Sequence, residues 1–252
     1  MSGKEPRNVY SKFALYYDAI YDQIVDYEAQ ASFLERIFEK FHKGNVSSIL
    51  DVGCGTGNYT FVFANRGYRT AGIDLSGDMI EVARKKASWM SRGSKVPKFF
   101  EIDMRKIQLN SKKKNGNKFD VVSTLFGGFG YLLHNADVLK FFNSAKAHLN
   151  SRGLLIFEFW HVTAVNPQSS SKSWVKVEVG DHTIIRLDAS KYDPQTNLIR
   201  VLFDFYILDR KRGERVDSFS ETHELKTYSI SEVRSLLERA GMKVEGFFKD
   251  SE

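Results

Sequence analysis

The run ILDVGCGTGNYT at residues 49–60 constrains this chain more than any other stretch. Aliphatic residues lead straight into glycines at 53, 55 and 57, and the helix-like stretch NYTFVFANRG follows, ending at Gly67. Glycine reaches backbone angles closed to other residues and presents its amide with no side chain in front of it. One reading is a tight turn between a buried strand, SSILDV, and a short helix. The other is a backbone surface kept bare so that a ligand can lie against it. The rest of the chain decides between them.

Strand-like runs alternate with helical ones on both sides of that loop. YRTAGID, KFFEID, FDVVSTLF and GLLIFEFW read as strands. Residues 29–42, LSGDMIEVARKKASWM and ADVLKFFNSAKAHL carry apolar residues at helical spacing. Such alternation predicts an α/β fold, with a doubly wound, mostly parallel sheet covered on both faces. After Trp160 the pattern changes to SWVKVEV, HTIIRLDAS, NLIRVLFDFYILD and the stretch 217–228, separated by turn sequences without long helices. This predicts an antiparallel β insert of three or four strands over 166–227, a substrate-binding sheet or lid, inside a core formed by 1–165 and 228–252. SISEVRSLLERAG returns to a helix, with Ser229 or Ser231 as N-cap, and KVEGFF is expected as a last strand. SKKKNGNK and NPQSSSKS read as loops, the first solvated and the second mobile.

Composition excludes several classes. Hydrophobic residues make up 42% of the 252 positions, enough for a real core. The single cysteine, Cys54, rules out an internal disulfide framework and favours a reducing, cytoplasmic setting. No apolar run approaches the roughly 20 residues that span a bilayer, and MSGKEPRNVYSKF has no apolar signal core. The formal charge of +6 suits an anionic substrate and also suits RNA. No aromatic residues interleave with the lysines of SKKKNGNK, which argues against a nucleic-acid partner.

Three acids fall at the ends of neighbouring strands. Asp51 precedes the glycines, Asp74 ends the second strand and Asp103 ends the third. In an open parallel sheet these ends line one crevice, where ligands bind. A carboxylate at 74 can accept from two vicinal ribose hydroxyls, and one at 103 from an adenine amine. The dinucleotide fingerprint, G-x-G-x-x-G, fails here: its third glycine would fall on Asn58, and Gly57 comes one residue early. Asp51 would repel a pyrophosphate. A sulfonium carrying an α-amino group suits that charge better.

With these motifs in hand, DVGCGTG, the acid in GIDLS, the IDM after the third strand and FDVVSTLF resemble class I S-adenosylmethionine-dependent methyltransferases over nearly the whole chain. The resemblance implies a seven-stranded-type Rossmann-like sheet ending in a hairpin, of which KVEGFFKDSE supplies one strand. It implies S-adenosyl-L-methionine as cofactor and no metal. The cofactor set is then Tyr17, Asp51, Gly53, Cys54, Gly55, Gly57, Asp74, Leu75, Met79, Asp103, Met104 and Leu125, with Cys54 a small packing residue in the loop.

YYDAIYD, FGGFGYL, FEFWH and ETHELKTYS are similar to small-molecule N-methyltransferases, those acting on amino groups of nucleotide-linked sugars and those methylating glycine. The likeness implies that Tyr17 closes over the cofactor. Some members carry a histidine beside the reacting amine, at the position that is Tyr131 here. Methyl transfer to an amine needs alignment and a dry pocket more than it needs a strong catalyst. The expected catalytic residues are Tyr17, Tyr131, Glu158 and His161. The expected substrate-binding residues are Tyr21, Phe129, Trp160 and Arg186, with Phe126 as a further wall. The partners are a small-molecule acceptor, whose anionic group Arg186 would meet unless it is held in a salt bridge, and a second copy in a homodimer. Two alternatives stay open, an RNA or protein methyltransferase and a catalytically inactive cofactor-binding subunit.

Overall fold

A computed structural model describes residues 10–90, 95–109, 117–165 and 171–249. Strands β1 (Ser48–Val52), β2 (Arg69–Asp74), β3 (Lys98–Glu101), β4 (Phe119–Thr124) and β5 (Leu149–Phe157) form one parallel sheet in the order β3-β2-β1-β4-β5. All five residues of β1 are buried, as a central strand between two neighbours requires. Its side chains alternate between two cores. Ile49 joins Ala31, Leu34 and Phe38 of α2 (Tyr27–Phe41), with Tyr59 and Phe63 of α3 (Asn58–Asn65). Leu50 and Val52 face the other layer, built by Phe141, Phe142 and Ala145 of α5 (Asn135–His148) and Val233, Leu236 and Leu237 of α6 (Ile230–Arg239). Helix α4 (Gly77–Ser88) buries Met79, Ile80 and Ala83. Side-chain caps set where helices begin: Asp26 accepts from the Ala29 amide, Ser76 from Met79 and Ser229 from Glu232.

The second sheet is antiparallel, with β6 (Ser171–Val179), β7 (His182–Asp193), β8 (Leu198–Asp209) and β9 (Arg215–Lys226) in chain order. Its inner face carries Val177, Ile184, Phe205 and Ile207. Against them pack Phe13 and Ile20, from the segment that leads through α1 (Tyr17–Tyr21). Phe13 is fully buried, with its ring 4.7 Å from that of Phe205. The N-terminal segment, expected with the core, thus packs on the second sheet as well.

Two expectations need correction. The described part of the parallel sheet has five strands, and 242–249 is not a strand. Met242, Val244 and Phe247 cover the α5/α6 core, while Phe248 leans on Phe33 and Phe41 of α2. The segment finds burial for its side chains but no neighbouring backbone to form a ladder with. Phe129, expected to touch substrate, is fully buried in the main core. Its ring lies 4.6 Å from Phe157 and 5.0 Å from Tyr228, because the tight turn Gly128–Tyr131 sends alternate side chains to opposite sides. Of the expected mobile loop NPQSSSKS, residues 166–170 lie outside the described residues, as does the lysine run at 111–114, while 171–173 open β6 and pair with β7. Among the described residues no helix is long and apolar enough to cross a membrane.

Truncating Phe129 should therefore act on stability. Phe129→Ala is expected to cost about 3–5 kcal/mol in urea unfolding, and the volume-conserving Phe129→Leu should leave acceptor KM unchanged in steady-state kinetics.

Candidate active site

The glycine loop is pinned to β2 by its own backbone. The Gly53 and Cys54 amides both donate to the Ile73 carbonyl, at 2.8 and 3.0 Å, and Gly57 donates back to Cys54 at 2.9 Å. All three glycines have left-handed φ, +71°, +56° and +89°. They differ in what surrounds them. A Cβ at Gly57 would come within 2.7 Å of the Phe99 ring, so Gly57 serves packing. A Cβ at Gly55 would meet nothing within 4 Å, so Gly55 leaves bare backbone on open space. Cys54 tucks its sulfur against Gly72 and packs with Ile80 and Phe99. Burial pushes its thiol well above the usual range, the behaviour of a packing residue.

Each acid is held differently. Asp51 is 3% exposed and accepts from the Thr60 hydroxyl at 2.6 Å. Burial pushes its carboxyl up to about 7; the Thr60 bond opposes that shift and nearby Asp74 adds to it. Asp74 accepts from the Gly55 amide and the Ser76 amide, both at 2.8 Å. Burial raises its pKa too, against the pull of those amides. Asp103 sits at the end of β3 as expected, but its carboxylate is forked by Arg105, which also reaches Asp137. Burial alone would raise its pKa, and the Arg105 bonds outweigh this to hold it low. Local residue pattern does not announce that pairing.

Two buried hydroxyls at the end of β4, Ser123 Oγ and Thr124 Oγ1, have no partner among the described residues; they lie on opposite faces of the strand, and Thr124 is the one beside the loop. Thr124 Oγ1 stands 3.6 Å from where a Gly53 Cβ would be and 3.0 Å from a Gly128 Cβ, and Met104 Cε lies 3.7 Å from the former. An orphaned hydroxyl, an open glycine and partly buried carboxylates on one rim fit a polar nucleoside with a cationic arm. Met79 and Leu125 are buried at 1% and 3%, while Leu75 is 56% exposed.

An aromatic wall faces this rim. Tyr17 and Tyr21 are 4.5 Å apart, and Tyr21 meets Phe126 edge-on at 5.0 Å. Phe126 has φ +54° and donates its amide to Glu158 at 2.8 Å. The Trp160 indole nitrogen lies 3.5 Å from a Gly127 Cβ position. The electrostatic pull of Asp74 reaches both Tyr10 and Tyr17, whose hydroxyls burial holds above the usual range. Helix α1 is strapped to the loop: Asp18 accepts from Thr56 and from Lys86 at 2.8 Å, and Lys86 also donates to Asn58 at 2.6 Å.

Two expected residues point elsewhere. His161 caps the short turn Val162–Ala164, with its ring on Thr163 at 2.7 Å. Arg186 is 5% exposed, forked on Asp188 at 2.7 and 2.9 Å and donating to the Tyr21 hydroxyl at 3.1 Å. An adjacent acid on the same strand face fills the fork that was expected to take an anion. Conversely, Tyr131 bonds to Tyr10 and to His223, and His223 neighbours Glu221. Tyr10, Glu221 and His223 were missed. The available signal was E-T-H in β9, an acid and a histidine two apart on one strand face between Phe219 and Leu225.

The family model for a methyltransferase domain matches residues 49–153. The crystal structure of Streptomyces venezuelae DesVI superposes with a TM-score of 0.73 at 26% identity, covering 97% of this chain and 93% of its own. Residues 49–153 thus carry a methyltransferase domain, and nearly the whole chain is similar to a methyltransferase fold. The enzyme is 29% identical to the dTDP-3-amino-3,4,6-trideoxy-alpha-D-glucopyranose N,N-dimethyltransferase of Streptomyces venezuelae over 87% of this chain and 85% of that one. It is 28% identical to the putative methyltransferase YqeM of Bacillus subtilis over 97% and 92%. The sugar N-methyltransferase KedS8 of a Streptoalloteichus species shares the fold, with a TM-score of 0.74 at 22% identity over 96% and 88%. CalS10, an amino pentose methyltransferase of Micromonospora echinaspora solved with S-adenosylmethionine bound, shares the fold as well, with a TM-score of 0.70 at 21% identity over 95% and 91%.

Asp51 gives the cofactor-free enzyme a pH signature. Its carboxyl is raised in the fold, so its stabilising effect is complete below the unfolded value near 4 and is lost as pH rises through about 7. Between those limits Asp51→Asn should show a flatter dependence of urea-unfolding free energy on pH than the parent.

Proposed function

We propose that the enzyme methylates the amino group of a small, nucleotide-linked sugar. The observation that carries this is the closed setting of the crevice. Helix α1 is tied to the glycine loop through Asp18 and Thr56 and packs Ile20 on the second sheet, which gathers the rings of Tyr17, Tyr21 and Phe126 beside the loop in a setting suited to a small molecule. Three relatives matched over 87–96% of this chain are named as N,N-dimethyltransferases of dTDP-linked amino sugars, which supports the same class. The net charge of +6 favours an acceptor with a diphosphate.

When bound, S-adenosylmethionine supplies a methyl group on a positively charged sulfur. The chain's part is placement. Asp51 and Asp74 put negative charge at the rim, where a cationic cofactor arm reduces the cost of keeping them ionised. Thr124 offers a hydroxyl without a partner among the described residues. The faces of Tyr17, Tyr21 and Phe126 favour a cation and exclude water. Tyr131 presents its hydroxyl to the acceptor nitrogen.

Calorimetry should show one S-adenosylmethionine per chain, and Asp74→Ala should weaken it by about 10-fold or more, as expected for losing charge-assisted bonds and the loop they order. Incubation with a dTDP-linked amino sugar should yield S-adenosylhomocysteine and one or two added methyl groups by mass. Label transferred from the cofactor to RNA or protein, with none to the sugar, would overturn the proposal.

A further inference from the structure

The inner face of β9 holds a buried histidine in an unusual setting. His223 is 2% exposed. Its Nδ1 lies 2.7 Å from the Tyr131 hydroxyl, and its Nε2 lies 3.5 Å from Glu221 Oε2 with no closer protein partner. Rings hold it on two further sides, Tyr10 at 4.8 Å and Phe203 at 5.0 Å. Tyr131 in turn lies 2.6 Å from the Tyr10 hydroxyl. The groups that can carry charge around the imidazole are Tyr131 after β4, Tyr10 with Tyr17 behind it on the N-terminal segment, and Glu221 on β9; β8 presents the uncharged Val201 and Phe203.

Donor and acceptor capacity gives this chain a direction. The Glu221 carboxylate only accepts, so Nε2 carries the imidazole proton toward it. Nδ1 is then an acceptor, and Tyr131 donates to it. Tyr131 is left to accept, from Tyr10 or from any donor that takes its place. Glu221 is fixed independently, receiving the Tyr10 amide at 2.9 Å and the Phe13 amide at 3.4 Å. A base oriented by a carboxylate, with a hydroxyl between it and the crevice, is the arrangement used to move protons.

We infer that Glu221, His223 and Tyr131 form a relay that takes the proton from the acceptor's ammonium group. This rests on the proposed amine acceptor. An amine must shed that proton before its electron pair is free. One N–H bond of the ammonium breaks and its proton passes to the Tyr131 oxygen, while the Tyr131 proton passes to His223 Nδ1. The nitrogen keeps the electron pair, and the imidazolium formed faces Glu221. Tyr131 is the catalytic residue of the three; His223 and Glu221 act through it. The relay also supplies from β9 the histidine that the end of β4 lacks.

The full-length enzyme can be assayed with S-adenosylmethionine and dTDP-3-amino-3,4,6-trideoxy-glucopyranose across pH. His223→Asn should lower kcat about 10²-fold near neutral pH, leave acceptor KM and calorimetric cofactor affinity largely unchanged, and recover as pH rises and the free amine forms unaided. Glu221→Gln should move the acid limb of kcat to lower pH, because the imidazolium loses its counter-charge. Tyr131→Phe, which removes only a hydroxyl, should repeat the His223→Asn result and serves if that variant does not fold. An unchanged kcat and acid limb in these variants, or a loss equal at every pH and matched by lost cofactor affinity, would overturn the relay while leaving the proposed function standing. Cofactor binding by the parent without methylation of any amino sugar would instead overturn the proposed function, and the relay with it.

Discussion

One carbonyl, that of Ile73, receives the amides of both Gly53 and Cys54. That pair of bonds turns the chain out of β1 and ties the start of the glycine loop to the neighbouring strand. With the turn held there, Asp74 lies within reach of the Gly55 amide, and Thr124 lies beside Gly53. The crevice is thus the geometric result of two parallel strands ending side by side, one in a loop that bends only because glycines occupy it.

The carboxylates on the rim already have partners, and those partners are mostly backbone. Asp74 orders the loop that its own strand faces, and Asp51 is sealed under Thr60. Keeping such groups near an apolar core is costly unless something positive arrives. Under the proposed function, loop and cofactor support each other: the rim provides negative charge beside a loop free of side chains, and a cationic ligand offsets the burial that raises both acids. The alternating layers behind the loop, with Ile49 facing one core and Leu50 the other, keep that rim rigid.

Periodicity made the layered core legible. The strand–helix alternation, the glycine turn, the three strand-end acids and the four insert strands could all be read from local pattern, because each is set by neighbours in the chain. What could not be read was which side chains pair, even between residues two apart. Arg186 reads as a free cation until Asp188 and Tyr21 are seen around it, and Asp103 reads as an open acceptor until Arg105 folds back. Phe129 and Tyr131 differ by two positions in one motif, yet one stacks in the core and the other borders the crevice; the 3-10 turn that separates them leaves no mark in composition. KVEGFF has strand-like alternation, but a strand also needs a neighbour, which alternation does not supply.

The bond from the Tyr10 amide to Glu221 joins positions 211 apart. Contacts of such separation form only after the intervening chain has ordered, since loop closure must precede any gain from them. During synthesis the glycine loop and the first parallel strands can therefore assemble well before β9 emerges. The roof of the crevice, made from residues near 10–21 and β9 together, is the part completed last.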